Sequence, residues 1–155
     1  MALLIIDGYN LIGTQHRDLQ AQRDALLHKL IAYRKKTGHA VTVVFDGWKS
    51  GSHQEAKSVT GGVAVIYSRL GDRADDVIRD LVEKGSKQRI VVSSDRAVAD
   101  FSWSHGSIPV PSDTFLGKLE QACGDGEGDY DEARSGSGRS LSKKERSLRR
   151  AIAKL

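Results

Sequence analysis

The sequence predicts an α/β fold: a mostly parallel central sheet with helices on both faces. Three observations carry this. Short runs rich in Val and Ile recur along the chain, segments of helical periodicity separate them, and the runs are near-continuously apolar rather than alternating. Strands buried on both faces read that way, because crossover helices cover a parallel sheet from either side.

Taken in order, Ala2–Ile6 is the first strand. Leu19, Leu26, Leu27, Leu30 and Ile31 follow at helical spacing, and that helix stops at Thr37-Gly38, a favourable C-terminal pair. Val41–Phe45 and Val63–Tyr67 are the next strands, joined by a long connection, Gly47–Gly62. A second helix spans Arg73 to Lys84, with Ala74, Val77, Ile78, Leu81 and Val82 on one face. Ile90–Val92 is a fourth strand, Arg96–Phe101 a short helix, and Thr114–Gln121 another behind a Ser112 cap. Residues 1–122 thus form the folded domain. Gly, Ser, Asp and Arg dominate residues 123–140, a composition suited to a flexible linker. In residues 141–155, Ser142-Lys-Lys-Glu145 is a capping box opening a basic amphipathic helix striped by Leu148, Ile152 and Leu155. The linker favours a tethered arm over a packed helix.

Composition excludes several classes of protein. The 155 residues hold one cysteine, Cys123, so an intrachain disulfide framework and a Cys-rich zinc site are ruled out and a cytoplasmic setting is expected. No run approaches the ~18 apolar residues of a membrane span. The net charge is +4, unevenly spread: residues 1–122 carry 16 bases and 14 acids, residues 123–132 five acids and no base, residues 139–155 seven bases and one acid. A basic terminal segment suits a polyanionic partner, although charge alone favours a solvated, solubilising tail.

The acids carry the functional signal. Asp7 follows the first strand, Asp46 the second and Asp95 the Ile90–Ser94 run. Any one of them alone is an ordinary turn or cap residue. In an open parallel sheet, however, the carboxyl ends of the strands share one edge, where ligands bind at a topological switch point, so three such aspartates are expected to converge. Asp72, Asp75 and Asp76 open the second helix, where acids also complement the helix dipole. Asp72 reads as its N-cap. At 100° per residue Asp75 lies about 20° from Val82, on the margin of the apolar face, while Asp76 turns toward solvent. Crowded carboxylates repel unless protons or a cation neutralise them, and hard divalent ions prefer carboxylate oxygens. Asn10 completes Asp7-Gly-Tyr-Asn10; Gly8 permits a tight turn, and the Asn side chain can reach Asp7 or a phosphate. His16, His28, His39, His53 and His105 are scattered without ligand spacing. A phosphoaspartyl phosphatase would want an Asp at position 9, which is Tyr9, and the glycine-rich Lys-Ser/Thr signature of a phosphate-loop NTPase is absent.

Asp7-Gly-Tyr-Asn10-Leu-Ile-Gly, Val43-Val-Phe-Asp46, Gly71-Asp-Arg-Ala-Asp75-Asp76-Val-Ile and Val91-Val-Ser-Ser-Asp95 resemble, in family order, the NYN domain of the PIN-like nuclease superfamily, and within it the YacP-like bacterial branch. The resemblance implies a PIN-like three-layer α/β fold and an endoribonuclease dependent on Mg²⁺ or Mn²⁺, associated with the ribosome. It implies catalytic roles for Asp7, Asn10, Asp75, Asp76 and Asp95; from the placement of the acids, metal ligation is expected from Asp7, Asp75 and Asp95 with Asp72 joining directly or through water, and Asp46 is expected to support from the rim. Cleavage would leave a 5′-phosphate and a 3′-hydroxyl. Two departures stand out: Asp72 and Asp76 occupy places where relatives often carry Glu, and Asp100 lies five residues after Asp95 rather than four. RNA contacts are expected from Trp48 and Lys49 in the long connection, and from Lys143, Lys144, Arg146, Arg149 and Arg150 in the terminal helix. Trp48 packing on the sheet is the alternative for that loop, Trp103 reads as core, and Cys123 as an incidental thiol. For the whole chain the alternative is a non-catalytic RNA- or ribosome-binding module that keeps an acidic rim.

Overall fold

The structure, a computed structural model, describes residues 2–12, 19–47, 56–69, 72–85, 88–123 and 142–155. Its strands are β1 (Leu3–Asp7), β2 (Ala40–Phe45), β3 (Ala56–Thr60), β4 (Val63–Tyr67), β5 (Ile90–Val92) and β6 (Ile108–Val110). Its helices are α1 (Gly8–Ile12), α2 (Leu19–Thr37), α3 (Ala74–Lys84), α4 (Arg96–Ser104), α5 (Ser112–Cys123) and α6 (Lys143–Lys154). The strands form one sheet in the order β3-β4-β2-β1-β5-β6. All neighbours are parallel except β3, which pairs antiparallel with β4 across the Gly61-Gly62 turn.

Alternation along each strand sorts side chains between two apolar layers. Leu4, Ile6, Val41, Val43, Val63 and Val65 face one way and pack with Leu26, Leu30 and Tyr33 of α2 and Phe115 and Leu119 of α5. Ile5, Val44, Ile66 and Val91 face the other way and meet Ala74, Val77, Ile78 and Val82 of α3 and Val98 of α4. Each fully buried Val or Ile contributes about 1.5–3 kcal/mol relative to exposure. The helices on both faces make the three layers expected from the sequence. No helix of the described residues is long and apolar enough to cross a membrane.

The structure corrects the sequence reading in several places. The supposed loop before Gly62 contains β3, an edge strand whose polar composition hides it, and two further elements went unread. β6 is only three residues long and carries Pro109, which an edge strand tolerates because one side of it makes no ladder hydrogen bonds. α1 starts directly after β1 and is too short to show a period. Gly8 is helical rather than a turn residue, and a Cβ there would run into the Phe45 ring. Asp7 is the last residue of β1, in register with Val44.

The terminal helix is packed, not tethered. Ala151 is 2% exposed within the α2–α5 layer, and Leu148, Ile152 and Leu155 pack against it. Tyr33 donates its hydroxyl to the Leu155 carbonyl at 3.4 Å; burial pushes that phenol up to about 12. His39 accepts from the Ala2 N–H at Nδ1 (3.1 Å) and lies 2.7 Å from the Lys154 carbonyl through Nε2, linking the start of the chain to the end of α6. Ser142 and Glu145 close the expected capping box.

Candidate active site at the sheet switch point

From β1 the chain builds outward through β2 to β4, then returns to the other side of β1 to lay down β5 and β6. The switch point therefore lies between β1 and β5, and the open crevice at their carboxyl ends is where such a sheet takes ligands. Asp7 ends β1, Asp46 immediately follows β2, and Asp95 lies just past β5. All three, with Asp75 from the first turn of α3, line a single cavity of about 250 Å³. Residues far apart in sequence meet there because parallel strands deliver their carboxyl ends to the same edge.

Asp7, Asp46 and Asp95 are each held by a backbone amide or a hydroxyl nearby. Asp7 accepts from the backbone N–H of Asn10 and, at 3.3 Å, from the Ser93 hydroxyl. Burial, with the nearby Asp46 and Asp95 charges adding to it, nevertheless raises the Asp7 carboxyl to about 6. Asp46 Oδ1 accepts from the Ala74 N–H at 2.5 Å and so caps α3 from a distant part of the chain. Asp95 is the N-cap of α4: its Oδ1 accepts from Ala97 and Val98, and its own N–H donates to Ser93 Oγ at 3.1 Å. The buried Ser93 hydroxyl thereby ties the ends of β1 and β5 together.

Some expected roles fall differently. Asp72 is not the α3 cap; that position is Arg73, and Asp72 pairs with Arg69 at 2.6 Å outside the cavity lining. Its shorter reach and local cation keep it there. Asp76 is exposed and accepts from the Arg73 N–H at 3.0 Å, a capping contact within the helix start. Asn10 does not extend its side chain to Asp7. Its Oδ1 accepts from the Ser94 N–H (2.8 Å) and the Ser112 hydroxyl (2.6 Å), fixing the β5–α4 turn and the start of α5. Ser112 accordingly serves that junction as the first residue of α5. Asp100 pairs loosely with Lys144 (3.8 Å), and Lys144 also lies over the half-buried Trp103 ring. Lys143, Arg146, Arg149 and Arg150 are exposed on α6. Trp48 and Lys49 lie outside the described residues. Arg73, lining the cavity, and Ser93 were not singled out from sequence, since an Arg beside acids and a Ser after a strand carry no pattern of their own.

Among the described residues no three His, Cys, Asp or Glu side chains stand close enough together to hold a metal ion between them. The donor set still fits a hard divalent cation. Such an ion takes one or two carboxylates directly and keeps several waters, and four carboxylates around one small cavity, one of them with a raised pKa, offer that chemistry.

A switch-point sheet with carboxylates gathered at its carboxyl edge defines an α/β protein of PIN-like architecture with an acidic cavity. Residues 4–154 match the family described as the YacP-like NYN domain, and the chain belongs to that family. The family is of nuclease type. The chain is 37% identical over 90 residues to the uncharacterized protein YacP of Bacillus subtilis strain 168, a match covering 54% of this chain. It spans about half the length of that curated relative, 52%. Among solved structures it is similar to Rae1 (YacP) from Bacillus subtilis, with a TM-score of 0.63 and 30% identity over 79% of this chain and 75% of that one. A tryptophan-to-leucine mutant of the same protein aligns with a TM-score of 0.62 and 26% identity, over 77% and 75% of the two chains.

Proposed function

We propose that this protein is a divalent-metal-dependent endoribonuclease of the cytoplasm that hydrolyses RNA phosphodiester bonds, with ribosome-associated RNA as its setting. The observation that carries the reading is the convergence of Asp7, Asp46, Asp75 and Asp95 on one cavity at the switch point. Family membership and the likeness to Rae1 (YacP) support it.

One or two of Asp7, Asp75 and Asp95 would hold Mg²⁺ or Mn²⁺ directly and the remainder through its bound waters, with Asp72 and Asp76 contributing through water. A divalent cation bound there supplies charge neutralisation for an incoming phosphate and acidifies a water. The chain's own groups do the rest. Asp95 commits one oxygen to the α4 amides and keeps its other for the site. Asn10 anchors the turn through Oδ1, while its amide nitrogen has no partner among the described residues and can donate to a phosphate oxygen. Arg73 also lines the cavity, and its positive charge would offset repulsion between the acids and the RNA backbone. Asp46 holds α3, and hence Asp75, in place. The exposed cations of α6 add affinity for the phosphate backbone without sequence choice.

The test is incubation with mixed cellular RNA, with Mg²⁺ or Mn²⁺ and with EDTA, followed by mapping of fragment ends. Cleavage that EDTA abolishes, leaving 5′-phosphates, is expected. Asp75→Asn should remove it while the far-ultraviolet circular dichroism stays that of the wild type. Equal cleavage by that variant would refute the mechanism, and RNA complexes without fragments would identify a binding module instead.

A further inference from the structure

A second cavity, of about 380 Å³, opens on the other side of the Ser93–Arg96 turn. Its walls come from that turn, α4, the Pro109 and Pro111 region around β6, and α6. We propose that it is a nucleotide subsite, receiving the base and phosphate of an RNA residue next to the scissile bond. This rests on reading the acidic cavity as the cleavage site.

Three observations favour that occupant. The volume lies within the range of small-ligand pockets. The walls divide chemically as a nucleotide does. Pro109, Pro111, Ala99 and Leu148 offer an apolar surface to a base, and Arg96 and Lys144 bring two cations to the same space. Arg96 is exposed and has no ion-pair partner among the described residues; Lys144 lies over the Trp103 ring and pairs loosely, in solvent, with Asp100, an acid of the same lining whose contact a phosphate would displace. Finally, the cavity adjoins the proposed site across the 93–96 turn. Ser93 belongs to its lining and also bonds Asp7, and Asp95, which lines the acidic cavity, sits between Ser94 and Arg96. A strand whose scissile phosphate lay among the acids would pass its neighbouring residue over this turn toward the second opening. Because α6 supplies Lys144 and Leu148, docking of that helix completes the subsite.

The full-length chain is tested in EDTA, so that binding is read without cleavage, using a fluorescent eight-residue oligoadenylate RNA. Arg96→Glu removes a cation, and Ala99→Phe fills the cavity without deleting a contact. Each is expected to weaken binding roughly tenfold, the scale of one lost base contact. The charge-matched Lys36→Glu on α2 should stay within about twofold, since a single distant charge is screened. Independently, 5′-AMP added to ¹⁵N-labelled wild type should shift the amides of Arg96, Ala99 and Leu148 most. Unchanged affinity in both folded variants, or amide shifts located elsewhere, overturns the subsite; should the variants not fold, the wild-type shifts decide. Failure of the cleavage reading shows separately, as absence of fragments with Mg²⁺ or Mn²⁺ whatever the binding results.

Discussion

Asp7 carries its proton at pH values where an ordinary aspartate has lost it, because burial and two neighbouring carboxylates penalise its charge. The sign of the linkage follows. With the folded value near 6 and the ordinary value at 3.8, the folded state holds a proton across that window that the unfolded chain has released. Stability from this group is full below about pH 4 and is lost as pH rises through 6. At neutral pH the ionised group then costs on the order of 3 kcal/mol. Asp7→Asn is therefore expected to raise the thermal midpoint at pH 7.5 by several degrees and to leave it nearly unchanged at pH 3.5. Added Mg²⁺ or Mn²⁺ should stabilise the wild type and not the variant, a comparison that differential scanning calorimetry can make. Asp46 tells the complementary story. It bonds the first amide of α3 from 28 positions away, so Asp46→Ala should cost about 1 kcal/mol in urea denaturation through the lost cap. The sequence could show that acids cluster at strand ends. It could not show which acid caps which helix, because Asp72 is the local candidate and Asp46 takes the bond through space.

At the level of elements, α6 is the most consequential. Its stripe and capping box are plain in the sequence, but a stripe does not say what covers it. The partner is the layer containing Tyr33, Ile108 and Phe115, and the central point of contact is the small, buried Ala151. A carboxylate there would be both oversized and unpaired. Ala151→Glu is expected to destabilise the helix dock by about 2–4 kcal/mol, read as loss of amide exchange protection across 143–154 while α2 stays protected. The same variant should lose affinity for RNA, since α6 would no longer hold Lys144 at the cavity beside the 93–96 turn. β3 and β6 illustrate the opposite case. Ala56–Thr60 and Ile108–Val110 are too polar or too short to stand out alone, and become strands because an existing sheet edge offers them hydrogen bonds.

Across the molecule, charge is segregated: carboxylates at the switch point, cations on α6 and around the neighbouring cavity. A net charge of +4 alone gives weak attraction, but clustered cations release counterions when they meet a phosphate backbone. With about four such contacts, raising salt from 50 to 200 mM should weaken single-stranded RNA binding by roughly fiftyfold. Fluorescence anisotropy across that range would check it, and a flat response would mean that α6 does not meet the backbone.

The sequence by itself determined the layered α/β class, four of the strands, the principal helices and the chemical character of the site, because periodicity, caps and residue type are local properties. Only the tertiary structure decided that Asp7, Asp46, Asp75 and Asp95 share one cavity, that Asp72 does not, that the Asn10 side chain holds a turn while only its backbone N–H reaches Asp7, and that α6 is docked. Those outcomes depend on strand order and on competition among partners brought together through space, neither of which a linear pattern encodes.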